Sequence, residues 1–136
     1  MIQTKIVNLE TFESQISAIE SYFSTLNQNQ YDLAAGLFSQ QGQLIPPFES
    51  AVVGGQAIAS YLKQEATDMS FHPISETATV LTNGQTDVEV RGKVSTSTFT
   101  VNVVWNFLIA KSGSIDLVKV NLLASLKDLM HLNPKG

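Results

Sequence analysis

The stretch Phe99 to Ile109, FTVNVVWNFLI, constrains the fold more than any other part of this chain. At a period of two, Phe99, Val101, Val103, Trp105, Phe107 and Ile109 share one face, and Thr100, Asn102, Val104, Asn106 and Leu108 share the other. Successive side chains of a strand point to opposite sides. One wholly apolar face beside one mixed face therefore describes a central strand whose apolar side is covered by another layer. The chain's single tryptophan, Trp105, stands in the middle of the covered face. Indole is a large apolar plate with one N–H donor that needs an acceptor when buried. The same-face neighbours offer none, so the acceptor comes from elsewhere in the fold or from a ligand.

What covers that strand is legible at the front of the chain. Met1 to Asn8 reads as an arm or short edge strand. From Leu9, the residues Leu9, Phe12, Ile16, Ile19, Phe23 and Leu26 recur at steps of three and four, the stripe of a long amphipathic helix with Asn8 or Thr11 as its cap. Tyr22 lies beside the stripe. Asn27 to Gln30 breaks this helix, and a shorter second one is expected over Tyr31, Leu33, Ala34, Leu37 and Phe38, closed by Gln41-Gly42. Gln43 to Phe48 (QLIPPF) predicts a short strand ending in a stiff extended segment, because Pro46 and Pro47 carry no N–H. Val52 to Gly55 reads as a turn, and a third helix begins near Gln56 with Ile58, Tyr61 and Leu62 on one face.

The remainder reads as strand. Ser75 to Leu81 runs into Asn83-Gly84, a strong hairpin signal. In Thr86 to Ser97, Val88, Val90 and Val94 alternate with Asp87, Glu89, Arg91 and Lys93. The Trp105 strand follows, then a turn over Lys111 to Ser114, a last strand over Ile115 to Leu123, and a terminal helix over Ser125 to His131. Helices at the front and a meander behind predict a single α+β domain over residues 1–136. Its curved antiparallel sheet wraps around the first helix as a cone with an apolar interior, the default place for a ligand.

Composition narrows the function. With 8 Lys and Arg against 12 Asp and Glu, the net charge is −4, which leaves no basic patch for a nucleic-acid backbone. The chain has no cysteine, so disulfides, thiolate catalysis and Cys-ligated metals are excluded. No apolar run reaches the ~20 residues of a membrane span, and the N-terminus lacks the apolar core of a secretion signal, which predicts a cytoplasmic protein. His72 and His131 have no ligand-like spacing, and no metal site is expected.

Two kinds of chemistry fit an apolar cone. Proton abstraction beside a carbonyl needs a base within the pocket and a donor for the developing oxyanion. Tyr22 suits the donor role; for the base, His72 and the carboxylates Glu49, Glu65 and Asp68 are the candidates, with Asp116 dependent on strand register. Binding without chemistry needs only Tyr22 and Trp105, two donors on apolar bodies, converging on one carbonyl oxygen. Buried aromatics are as a rule simply core, so the residues alone leave packing and ligand contact both open.

A set of segments stands out: Leu44-Ile45-Pro46-Pro47-Phe48, Val53-Gly54 with Ala57-Ile58, Tyr61 and Glu65, Gly92-Lys93-Val94 with Thr96, Asn102 with Trp105-Asn106-Phe107-Leu108, and Leu122-Leu123-Ala124-Ser125 with Lys127 and Leu129; of these, Pro46-Pro47-Phe48 and Leu122-Leu123-Ala124-Ser125 are not demanded by such a fold. In these the chain resembles, from about Ile19 to Leu132, the C-terminal domain of the cyanobacterial orange carotenoid proteins, within the nuclear-transport-factor-2-like superfamily. The resemblance implies a ketocarotenoid of the echinenone or canthaxanthin kind, its keto oxygen accepting from a tyrosine and a tryptophan that fall here on Tyr22 and Trp105. It further implies Ile45, Met69, Phe71, Val101 and Phe107 as ligand contacts. It implies a homodimer sharing the pigment, a possible helical carotenoid-protein partner, and a role in carotenoid carriage or photoprotection. The chain departs from the family in being shorter between Lys93 and Trp105, where the family's second tryptophan is missing. The alternative in a different class is a small-molecule enzyme of the ketosteroid-isomerase or polyketide-cyclase kind.

Overall fold

A computed structural model describes residues 9–123, with side-chain environments from residue 12 onward. The expected arm over 1–8 and the expected terminal helix over 125–131 lie outside the described residues. The stripe of the first helix forms as its spacing demands. α1 (Leu9–Asn27) buries Ile19, Phe23 and Leu26 together with Tyr22. Each large apolar side chain removed from water contributes ~1.5–3 kcal/mol. At the end of α1 the Asn27 side chain acts as one more strand residue: its Nδ2 donates to the Phe71 carbonyl (2.8 Å), and the Phe71 N–H donates to its Oδ1 (2.7 Å).

α2 (Tyr31–Gly36) is shorter than its apolar spacing predicts. Leu37 leaves the helix and Phe38 opens strand β1 (Phe38–Ile45), because the Ile115 N–H donates to the Leu37 carbonyl at 2.9 Å and Phe38 pairs with Ile115. A long-range ladder overrides the local period here. Gly42 is therefore a point of close approach, not a helix stop: a Cβ there would lie 2.8 Å from the Ile115 carbonyl oxygen. Val52–Val53, expected as a turn, is the short strand β2 pairing with Gln43 and Leu44, and α3 (Gly55–Glu65) follows it.

β3 (Ser70–Val80) starts before the expected Ser75 and includes Pro73. It is an edge strand, which spares the proline's missing N–H. β4 (Thr86–Ser95), β5 (Thr100–Ile109) and β6 (Ile115–Leu123) complete the meander. Gly84, at φ +94°, makes the β3–β4 turn that Asn83-Gly84 announces. The sheet order is β2-β1-β6-β5-β4-β3. The α+β class holds, with one correction: the sheet is mixed, since β1 runs parallel to β6 while the other neighbours are antiparallel.

α1 lies along the apolar face of β3, β4 and β5, and one polar residue locks its start. Gln15, 2 % exposed, accepts from the Thr86 hydroxyl at 2.6 Å and donates to the Ala110 and Gly84 carbonyls at 3.0 and 3.2 Å. Replacing it by Leu strands the buried Thr86 hydroxyl and removes a donor from the Gly84 carbonyl, while the Ala110 carbonyl keeps the Gly113 N–H. Gln15→Leu is expected to lower unfolding free energy by ~2–3 kcal/mol, read from urea midpoints at unchanged slope.

Candidate functional site

The end of the cone away from the Gly84 and Gly113 turns is hollow. A cavity of about 310 Å³ lies between the C-terminal half of α1, α3, and the far ends of β4, β5 and β6, just within the ~300–1,000 Å³ of ordinary small-molecule sites. Periodicity explains its apolar wall. Val94 on β4 and Val101, Val103 and Trp105 on β5 all point inward, and α1 sends Tyr22 and Leu26 to meet them.

Tyr22 is 2 % exposed and Trp105 1 %. They are linked through Phe23, whose ring centroid is 5.4 Å from that of Tyr22 and 4.7 Å from that of Trp105, both edge-to-face. Phe38 and Phe107 brace Tyr22 from two further directions, at 6.0 and 5.4 Å. The rings are thus fixed by packing. Among the described residues neither the Tyr22 hydroxyl nor the Trp105 N–H has a hydrogen-bond acceptor, yet no fully enclosed side-chain nitrogen or oxygen there lacks a partner. Both polar atoms therefore keep a sliver of exposure, and both residues line the cavity. Burial, and then the neighbouring Tyr61, push the Tyr22 phenol far above the ordinary tyrosine range. It stays a neutral donor at any physiological pH.

The expected contacts divide. Tyr22, Met69, Phe71, Val101 and Trp105 line the cavity; Ile45 and Phe107 do not. Alternation along β1 puts Leu44 on the cavity wall and leaves Ile45, one residue on, on the opposite side. Phe107 is 1 % exposed but sits behind Tyr22 as core. Val103 was readable as an inward neighbour of Trp105, whereas Leu62 of α3 and Ala66, which caps it, needed the three-dimensional fold.

Of the candidate carboxylates, Glu49 and Glu65 line the cavity at its mouth, where both are exposed. Between them stands Tyr61, its phenol pushed up to about 12 by burial first, then by the charges of Glu49 and Glu65 and a hydrogen bond to Glu49. Asp68 accepts from Ser97 (3.3 Å), and Asp116 from Ser39 (2.7 Å) and Gln85 (2.9 Å); neither these two nor the exposed His72 lines the cavity. The described residues contain no cluster of three His, Asp or Glu fit to hold a metal ion, and no helix among them is long and apolar enough to cross a membrane.

Comparison with known proteins places this geometry. The family model of the nuclear transport factor 2 (NTF2) domain matches residues 15–122. The orange carotenoid-binding protein of Limnospira maxima is 31% identical over 120 residues, covering 85% of this chain and 38% of that protein. The chain thus spans less than two fifths of that curated relative. The structure of the Anabaena (Nostoc) sp. PCC 7120 orange carotenoid protein binding canthaxanthin superposes with a TM-score of 0.76 at 31% identity, over 96% of this chain and 41% of that one. A ketosteroid isomerase-like protein from Erwinia carotovora shares the fold alone: TM-score 0.65 at 15% identity, over 87% of this chain and 100% of its own.

Proposed function

The chain belongs to the nuclear transport factor 2 (NTF2) domain family, and from that premise we propose that it is a non-catalytic binding protein for a ketocarotenoid, or a similar long apolar ligand tipped by a carbonyl. The observation that carries the reading is the pair of buried donors, Tyr22 and Trp105, without acceptors among the described residues and lining one apolar cavity. A conjugated ketone oxygen has two lone pairs and can accept from both. Leaving either donor unmet in an apolar hollow costs ~1–3 kcal/mol. The resemblance to proteins that bind carotenoids supports the same ligand class.

The cavity holds one end of such a molecule, with Leu44, Met69, Phe71, Val101 and Val103 against its ring and first double bonds. The rest of the chain leaves through the mouth. That exposed half accounts for a second copy, or a helical carotenoid-protein partner, as the natural cover. An isomerase or cyclase would need a base beside the carbonyl held by Tyr22 and Trp105. The carboxylates on the cavity, Glu49 and Glu65, stand at its solvent end, which supports binding over catalysis.

Expression in a canthaxanthin-producing host tests the reading. The purified protein is expected to be coloured, with a visible band displaced to the red of free pigment by hydrogen bonding at the carbonyl. A protein that stays colourless when canthaxanthin is supplied overturns it.

A further inference from the structure

The mouth of the cavity is chemically unlike its floor. The floor presents Tyr22 and Trp105, neutral donors at least 98 % buried and unpartnered among the described residues. The mouth presents Glu49, on the turn after Pro46-Pro47, and Glu65, at the end of α3, with Tyr61 between them. Among the described residues neither glutamate has a cationic partner: the ion pairs there are Lys63–Asp32 and Arg91–Glu89. Among the described residues no Lys or Arg lines the cavity. A ligand that enters by this mouth to reach the donors passes two glutamates that no described cation pairs.

We propose that Glu49 and Glu65 make the cavity selective for neutral ligands, so that apolar molecules ending in a ketone, aldehyde or ester are taken and those ending in a carboxylate, such as fatty or retinoid acids, are refused. This rests on the binding reading above and names what the site excludes. An acid has two ways to enter, and both are unfavourable. With its carboxylate inward, the ion loses its hydration in a hollow whose floor offers donors but no cation. With its carboxylate outward, the ion lies at the lip beside two like charges. Like charges ~7 Å apart near a protein surface cost a few tenths of a kcal/mol each in salt, more without it. Tyr61 lines the cavity together with both glutamates, and its phenol is raised by burial first and then by their charges.

The probes are methyl retinoate and retinoate, which share a skeleton and differ by one charge. Trp105, the chain's single tryptophan and a cavity residue, reports binding by fluorescence quenching. At pH 8 and low salt, the native protein is expected to bind the ester more tightly than the acid. The Glu49→Gln, Glu65→Gln double variant is expected to reduce that preference about fourfold, as is raising salt on the native protein. The ester serves as the internal reference, so the ester-to-acid ratio is what is read; both substituted positions lie at the exposed lip, and the double variant is expected to fold. An ester-to-acid ratio that the double variant leaves unaltered, while the ester still binds, overturns the selectivity and leaves the binding reading standing. Failure of the native protein to bind either probe overturns the selectivity, while canthaxanthin uptake decides the binding reading separately.

Discussion

A Tyr22→Phe, Trp105→Phe double variant is expected to bind canthaxanthin about thirtyfold more weakly than the native protein, with its remaining visible band shifted to the blue. Each buried hydrogen bond to the carbonyl contributes ~1 kcal/mol net, and ~1.4 kcal/mol is tenfold in affinity, so two such bonds give this loss. The colour change has a separate origin. Donors at a conjugated ketone favour the charge-separated excited state, and removing them raises the transition energy. The substitutions are chosen to spare the packing. Phe at 22 keeps the edge contacts to Phe23, Phe38 and Phe107, and Phe at 105 keeps a ring against Phe23. Native-like uptake with a native spectrum would show that the two side chains are packing only. Single variants are expected to fall between, and their non-additivity measures how far one donor positions the carbonyl for the other.

The largest loss of stability is expected at a residue that does not itself line the cavity. Gly92 pairs with Pro73 across β3 and β4. A Cβ built there would run into the His72 carbonyl oxygen and stand 2.8 Å from the Pro73 Cα. Both are backbone atoms, so no rotamer relieves the contact and the strands themselves must part. Gly92→Ala is expected to cost ~3 kcal/mol, or about 10 °C in melting temperature. Gly36→Ala is the control: nothing lies within 4 Å of a Cβ there, and its melting temperature is expected to match the native one within a few degrees. A Gly92→Ala protein as stable as the control would mean that the edge strand yields freely. Because β3 carries Phe71 into the cavity wall, the same variant is also expected to weaken pigment binding.

How far the chain announced itself varied by element, for reasons particular to each. β4 and β5 were legible because both carry a strict period of two, and Val88, Val90, Val103, Trp105 and Phe107 are buried as that period requires. α1 was legible because its stripe is unbroken, and the β3–β4 turn because Asn-Gly allows few other conformations. The stretch from Leu37 to Gly42 was not. Its apolar spacing fits a helix, and its strand conformation comes from Ile115, some seventy-six positions away by the Ser39–Ile115 hydrogen bond. Gln15 was hidden for the opposite reason: a polar residue between apolar ones reads as a solvent face, whereas it is sealed by Thr86 and two carbonyls. At the site, Tyr22 and Trp105 line one cavity, as expected of an inward strand residue and a residue beside the helix stripe, while Leu44 lines it where the resemblance implied Ile45, one residue on. A one-residue shift along a strand turns a side chain to the other surface. Phe99 follows the inward period yet is 57 % exposed, because it precedes β5 at the open rim.

The parallel seam between β1 and β6 also dictates when the molecule can close during synthesis. β1 leaves the ribosome early, but its partner along that edge is the last strand described, so the α1–α2–β1 portion must wait with an unzipped border while the whole meander is made. Contacts between such distant segments form slowly and leave apolar surface bare in the meantime. Truncating the chain within β6 is therefore expected to give an aggregation-prone fragment, seen as loss of the monodisperse peak in size-exclusion chromatography, and not a smaller cone.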